Sequence, residues 1–364
     1  MTTLALSGAS VRLNGLPALT GLQTLMCNVY NMPQEVIHAA EGMLIDAIPK
    51  LQCLTSLTLW FGQSQPPTNS LIRSNAPSIS ILTALQSLQM SDVMIDWSLL
   101  ATLRHLRTLE MIHVANAEAD GNLQVLSNLT ALTSLAMDGY SEQDVTAEVA
   151  EAPTSSSHLA SLKLHSTTGQ LRSAHYTSMF PPGRQLQHLT ELEIGAGILH
   201  HIATHQNPAK SCPNLQKVRL DFPVQAAGLD MGQVAAGLEA MSGFGQLQGL
   251  ELDASALQFP TLVWQALGSL SQLTRLSVWC TSEGAIELCN DVKLSLTSCT
   301  SLQSLRIYTG WGMDIFLDSQ VRLSHTTALC ICLVEIVGSV TSMILQQLVG
   351  HLTDALTLWH VGWL

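Results

Sequence analysis

Residues 82–90 read LTALQSLQM, and residues 129–137 read LTALTSLAM. Seven of the nine positions agree, and the copies start 47 residues apart (129 minus 82). In both, apolar residues follow steps of three, three and two: Leu82, Leu85, Leu88, Met90, and Leu129, Leu132, Leu135, Met137. The final step of two places both side chains on one face of a β-strand. The steps of three suit a turn or short helix leading into that strand.

The same frame recurs at Leu19-Leu22-Leu25-Cys27, Leu51-Leu54-Leu57-Leu59, Leu103-Leu106-Leu109-Met111 and Leu159-Leu162-Leu164. It continues at Leu186-Leu189-Leu192-Ile194, Cys212-Leu215-Val218-Leu220, Phe244-Leu247-Leu250-Leu252, Leu270-Leu273-Leu276-Val278 and Cys299-Leu302-Leu305-Ile307. With the two opening copies there are eleven units. From Leu25 to Leu305 they span ten intervals over 280 residues, a mean of 28, and single intervals run from 21 to 32.

A period in the twenties with an LxxLxL core resembles the leucine-rich-repeat family over nearly the whole chain. The resemblance implies an α/β solenoid, a horseshoe with short parallel strands on its concave face and mixed helices and loops on its convex face. It also implies recognition of a protein partner on the concave face, without catalysis. One feature departs from the family pattern. The Asn or Cys expected three residues after the second strand leucine is replaced by Gly62, Val93, Val114, Tyr140, Thr167, Gly197, Pro223, Ser255, Thr281 and Gly310.

No single unit can bury its own leucines, so the core exists only where neighbours stack. Residues 1–364 are therefore expected to form one array, with clear units in 19–310 and degenerate or partial ones in 1–18 and 311–364. Leu4-Ala5-Leu6 is expected to be a further strand, Leu329-Cys332-Val334 to continue the frame, and Leu356-Thr357-Leu358 to be a last strand. Because the chain begins and stops inside repeats, it is expected to be a fragment or to have an end covered by another chain. The return segments WSLLATLRHL (97–106) and TLVWQALGSL (261–270) are expected to be helical, with leucines at steps of three and four. QSQPPTNS (63–70), EAPTSSS (151–157) and FPPGR (180–184) are expected to be loops.

Hydrophobic residues make up 47% and charged residues 12%, which excludes a disordered chain. Net charge is −12, and each half of the chain carries −6 (7 basic against 13 acidic, then 8 against 14). Acidity spread this evenly, with no basic run, argues against nucleic acid and anionic membranes as partners. The N-terminus lacks a basic segment followed by a long apolar one, so no signal peptide is expected. The apolar stretch 328–352 carries Glu335, Gln346 and Gln347 and is read as a buried end of the array, not a membrane span. Eight scattered cysteines without a CxxC indicate free, mostly buried thiols in a reducing compartment. The expected location is cytoplasmic, with the cytoskeleton or ciliary axoneme as candidate settings.

Residues between the buried leucines of a strand point to the opposite face. In the second half of the chain this face mixes charge with aromatics. The candidate partner-binding residues are Lys163, Glu193, Arg219, Asp221, Glu251, Asp253, Arg275, Trp279, Arg306 and Tyr308. Trp, Tyr and Arg are the types that most often anchor protein interfaces. The competing reading is a solvated face whose charges pair across strands.

No catalytic residues, cofactor, metal or small-molecule substrate are expected. HHIATH (200–205) offers His201 and His205 four apart but no third ligand, and Cys280 and Cys289 are read as core thiols. The polar insertion HSTTGQLRSAHYTSMFPPGRQ (165–185) is the best place for an enzyme site, yet it lacks triad or metal spacing. The expected role is a non-catalytic scaffold that binds a protein partner. The substrate-recognition part of a ubiquitin ligase and a structural spacer in a cytoskeletal or ciliary assembly are the alternatives.

Overall fold

The computed structural model describes residues 2–7, 15–30, 44, 46–62, 77–91, 94–95, 97–113, 115–116, 123–140, 151–166, 173–205, 207–222, 230–254, 257–280, 295–309, 313–317 and 333–336. Among these, twelve parallel strands pair in chain order. They are β1 (Thr3–Ser7), β2 (Thr24–Tyr30), β3 (Ser56–Gly62), β4 (Ser87–Ser91), β5 (Thr108–Ile112) and β6 (Ser134–Tyr140). Then follow β7 (Ser161–Ser166), β8 (Glu191–Gly195), β9 (Lys217–Asp221), β10 (Gly249–Ala254), β11 (Arg275–Cys280) and β12 (Ser304–Thr309). A short two-stranded bridge joins Met94–Ile95 to Ala115–Asn116 beside the main sheet.

The repeat frame sets the register of every neighbouring pair. Leu4 lies opposite Leu25, Leu25 opposite Leu57, Leu57 opposite Leu88, and Leu88 opposite Leu109. The row continues through Leu135, Leu162, Leu192, Val218, Leu250, Leu276 and Leu305. From Leu25 onward every residue of this row is buried. Burying a leucine completely is worth about 1.5–3 kcal/mol, so the row alone accounts for much of the drive to stack.

The steps of three are hydrogen-bonded turns. The Leu85 amide donates to the Leu82 carbonyl and the Leu82 amide to the Ile79 carbonyl. The same pair recurs at Leu132–Leu129–Leu126 and at Leu273–Leu270–Leu267. Successive i to i+3 turns present each leucine inward before the chain enters its strand. The unit before β7 has Ser156 where its neighbours have an apolar residue, and the buried hydroxyl donates to the Leu132 carbonyl at 2.7 Å.

A different ladder runs where the family's asparagines are missing. One carbonyl per unit, at the N-terminal side of the strand, accepts two amides from the next unit. Thr55 and Ser56 donate to Gln23, Gln86 and Ser87 to Thr55, and so on to Gln303 and Ser304 on Thr274. Threonine hydroxyls reinforce it, as Thr133 does on Arg107 and Thr274 on Gln248.

Return segments cover one face of the sheet and take both 3-10 and α-helical forms. The interval of 21 residues between Leu88 and Leu109 has a 3-10 helix, Trp97–Thr102, as the helix among its described residues. The helix expected at 97–106 is thus a 3-10 helix over 97–102. The described α-helices are α1 (Pro77–Ser80), α2 (Ser173–Met179), α3 (Ile198–His205), α4 (Asn207–Ser211), α5 (Met231–Ala240) and α6 (Thr261–Gly268). The longest, α5, sits in an interval of 32 residues, Val218 to Leu250. Gly237 lets α5 press against α3, since a Cβ there would lie 2.4 Å from the Leu199 carbonyl oxygen.

Past β12 the pattern changes. The strand β13 (Met313–Leu317) pairs antiparallel with β12, and β14 (Leu333–Ile336) pairs antiparallel with β13. The neighbour of β12 is therefore not the repeat expected at Leu329-Cys332-Val334. Only three residues separate Thr309 from Met313, whereas a parallel neighbour needs a crossover of about a dozen. Val334 lies in β14, while Leu329, Cys332 and the expected strand at 356–358 fall outside the described residues. No helix among the described residues is long and apolar enough to cross a membrane, and most of 328–352 lies outside them.

Candidate functional site

The face of the sheet away from the helices is open, and its side chains form three columns along the strands. The ten residues singled out from the sequence all lie on this face, but they do not form one site. From β7 to β10 the charges are tied to one another. Lys163 Nζ lies 3.2 Å from Glu193 Oε2, and Arg219 Nε lies 3.1 Å from Glu193 Oε1. Arg219 also reaches Asp221 at 3.3 Å and Asp253 at 3.0 Å. Glu251 is held by Lys217 at 3.1 Å, and Lys217 also meets Glu191 at 3.4 Å. Lys163, Glu193, Arg219, Asp221, Glu251 and Asp253 thus all belong to one ladder of paired charges.

Three members of this ladder, His165, Glu191 and Lys217, are absent from the sequence-derived set. Their signal was available, because each lies two residues from a chosen position and so shares its face. His165 bridges two carboxylates, with Nε2 3.1 Å from Glu193 and Nδ1 against Asp221. Burial pulls the His165 pKa down, but hydrogen bonds to Asp221 and Glu193 and their charges outweigh it and raise it to about 9. Burial pushes Glu193 up, and the hydrogen bond and charge of His165 with the charge of Lys163 outweigh that and hold it at about 2. Glu193 is only 8% exposed, although it sits on the open face, because its three cationic partners pack over it.

The ligand atoms of His165, Glu193 and Asp221 lie within 4.8 Å of one another, a spacing that suits a metal ion. Both Glu193 oxygens, however, already face cations: Lys163 on one, Arg219 and His165 on the other. A divalent ion would have to displace them and leave Lys163 and Arg219 without that carboxylate. The charges here balance one another without an ion, which favours the ladder.

On β11 and β12 the arrangement differs. Trp279 and Tyr308 stack with ring centroids 4.7 Å apart and planes 6° from parallel. The Arg219 guanidinium approaches the Trp279 ring at 5.7 Å and links the two regions. Arg275 and Arg306 are exposed, and neither has an ion-pair partner within 4 Å among the described residues. The first half of the face is milder, as its sequence suggests. Thr58 donates to Gln89 at 3.0 Å and Gln89 to Glu110 at 2.8 Å, while Met26 and Trp60 stand exposed.

Of the residues weighed for chemistry, His201 and Cys280 are buried and His205 is exposed. His201 on α3 is 1% exposed, its two ring nitrogens have no hydrogen-bond partner among the described residues, and its ring lies 4.7 Å from that of His205. Burial, with the charges of His205 and His200, lowers its pKa to about 4. In the insertion at 165–185, the described residues begin at the end of β7 and resume in α2 and the turn after it. Tyr176 of α2 is buried and donates to the Gly195 carbonyl at 3.2 Å, and Arg184 pairs with Glu151 at 3.0 Å. Burial pushes the thiols of Cys27, Cys280 and Cys299 up to about 11 and that of Cys212 to about 12. Thiols held that high are poor nucleophiles. Cys289 lies outside the described residues.

Fold and face together define a leucine-rich-repeat solenoid, an open parallel sheet with one face covered and one free. No protein-family profile and no curated protein matches the chain. Among solved structures it is similar to the plant peptide hormone receptor RGFR1 in complex with RGF2, at 15% identity and a TM-score of 0.39. That match covers 85% of this chain and 48% of the receptor chain. It is also similar to the Toll–Spatzle complex of Drosophila, at 12% identity and a TM-score of 0.39, over 83% of this chain and 44% of that one. This chain thus spans about half the length of each, and superpositions this loose carry no argument about function.

Proposed function

We propose that the protein is a non-catalytic scaffold that binds a protein partner on the open strand face, chiefly at β9 to β12. The observation that supports this most is the Trp279–Tyr308 stack, which lies on an open sheet face two positions beyond exposed Arg306 and four beyond exposed Arg275 on their strands. Aromatic and arginine side chains on a rigid element anchor interfaces with little ordering cost. Arg219 joins that surface through Trp279 while its other contacts hold it in place.

A reducing, cytoplasmic setting is part of this reading. Cys27, Cys53, Cys212, Cys280 and Cys299 are all free thiols. The alternatives within the same class remain the substrate-recognition part of a ubiquitin ligase and a spacer in a cytoskeletal or ciliary assembly.

The test is a pull-down from native lysate that compares the wild type with Arg219→Ala/Trp279→Ala/Arg306→Ala. Proteins recovered by the wild type and lost by the variant are the expected result. Identical recovery by both would sink the proposal, and specific recovery by neither would favour the spacer.

A further inference from the structure

On β10 to β12 the open face alternates large and small residues like a checkerboard. Along the first column run Lys217, Gly249, Arg275 and Ser304, and along the second Arg219, Glu251, Ser277 and Arg306. Gly249 lies between Lys217 and Arg275, and Ser277 between Glu251 and Arg306. The missing side-chain bulk at these positions leaves a cleft of about 840 Å³. Its charged lining is Lys217, Arg275 and Arg306 against Glu251, three positive and one negative, so it carries +2 within a chain of −12. The one carboxylate is already held by Lys217, which leaves both arginines available.

We infer that this cleft takes the carboxylate side chains of an acidic segment of a protein partner. The inference rests on the protein-binding reading above and names the chemistry of what is bound. Two guanidiniums one strand apart offer forked donors that match carboxylate geometry. Ser277 and Ser304 line the floor with hydroxyl donors. Two residues further along the same strands stand Trp279 and Tyr308, so an apolar side chain next to the acidic one meets the aromatic stack. A nucleic acid fits poorly, because its phosphates continue past the cleft and would face the acidic remainder of the chain, whereas a segment with a few carboxylates can place them within the cleft alone.

The experiment is fluorescence anisotropy at low salt with a labelled peptide of alternating Glu and Leu, against its Gln-and-Leu counterpart. The full chain is compared with Arg275→Ser/Arg306→Ser and with Arg104→Ser, which removes an exposed positive charge on a return segment. The Glu peptide is expected to bind the wild type roughly tenfold or more tightly than the Gln peptide, and added salt weakens it. The double variant loses that preference, Arg104→Ser retains it, and Arg275→Lys/Arg306→Lys retains part of it. Equal binding of the two peptides, or a double variant that still prefers Glu, overturns the inference. If that happens while the lysate partners are still lost on Arg219→Ala/Trp279→Ala/Arg306→Ala, the scaffold reading stands without an acidic ligand. Matching thermal midpoints for all variants show that folding is unchanged.

Discussion

The open faces of β7–β10 and of β11–β12 share one backbone geometry and one register, yet they use charge in opposite ways. On β7–β10 each ionic residue is tied to an opposite charge, and most of these pairs cross to the next strand, at 3.0 to 3.4 Å in the closest of them. On β11–β12 the positions directly opposite Arg275 and Arg306 hold Gly249, Ser304, Ser277 and Phe316, none of which is a carboxylate. A charged side chain on a sheet is thus structural or available according to the residue one strand away.

The largest effect is expected at the boundary of the two regions. Leu250 on β10 is buried between Val218 and Leu276, beneath both. Leu250→Ala should lower unfolding free energy by about 3 kcal/mol in urea denaturation and loosen both faces together. Loss of less than about 1 kcal/mol would mean the neighbouring repeats do not share a core.

Next comes the ladder itself. Glu193→Gln leaves Lys163, His165 and Arg219 around a neutral amide, and should cost about 2 kcal/mol in the same measurement. A neutral result would make the ladder decorative and erase the contrast.

Dependence on pH separates the regions further. His165 is raised from 6.5 to about 9, so its contribution is complete below pH 6.5 and disappears as pH rises through 9. Glu193 is lowered from 4.5 to about 2, so its contribution is complete above pH 4.5 and disappears as pH falls through 2. The ladder is therefore fully formed between pH 4.5 and 6.5. His201 works against the fold inside that window. Its folded pKa of about 4 lies below 6.5, so the unfolded chain takes up the proton first and stability falls as pH drops from 6.5 to 4. Thermal midpoints from pH 6.5 to 9 should decline in the wild type, by the equivalent of about 1–2 kcal/mol, and stay level in His165→Gln. Parallel profiles for the two would break the comparison.

The smallest effect is the complement of these. Arg275→Ser/Arg306→Ser should change stability by no more than about 0.5 kcal/mol and leave the pH profile as it is. A loss comparable to that of Glu193→Gln would show that these arginines are structural too.

Much of this molecule was legible before any coordinates. The leucine row, the strand register and the identity of the open face follow from a step of two, which is a local property of the chain. Leu4 and Leu6 fell on a strand for the same reason. The candidate residues all reached the open face, but as one undivided set, and His165, Glu191 and Lys217 were passed over. Spacing along a strand cannot say which charges meet, because partners such as Lys163 and Glu193 are thirty residues apart and meet only once the register is known.

LTALQSLQM and its relatives by themselves determined a stacked array of parallel strands, because buried leucines at that spacing are satisfied by no other arrangement of neighbours. Tertiary structure alone decided where the parallel run ends, since three residues after Thr309 permit only an antiparallel return. It also decided which arginines are paired and which have no ion-pair partner among the described residues. Coulombic attraction falls with distance and is settled by the side chain on the adjoining strand, so Arg219 is held by Glu193 and Asp253 while Arg275 and Arg306 border a cleft.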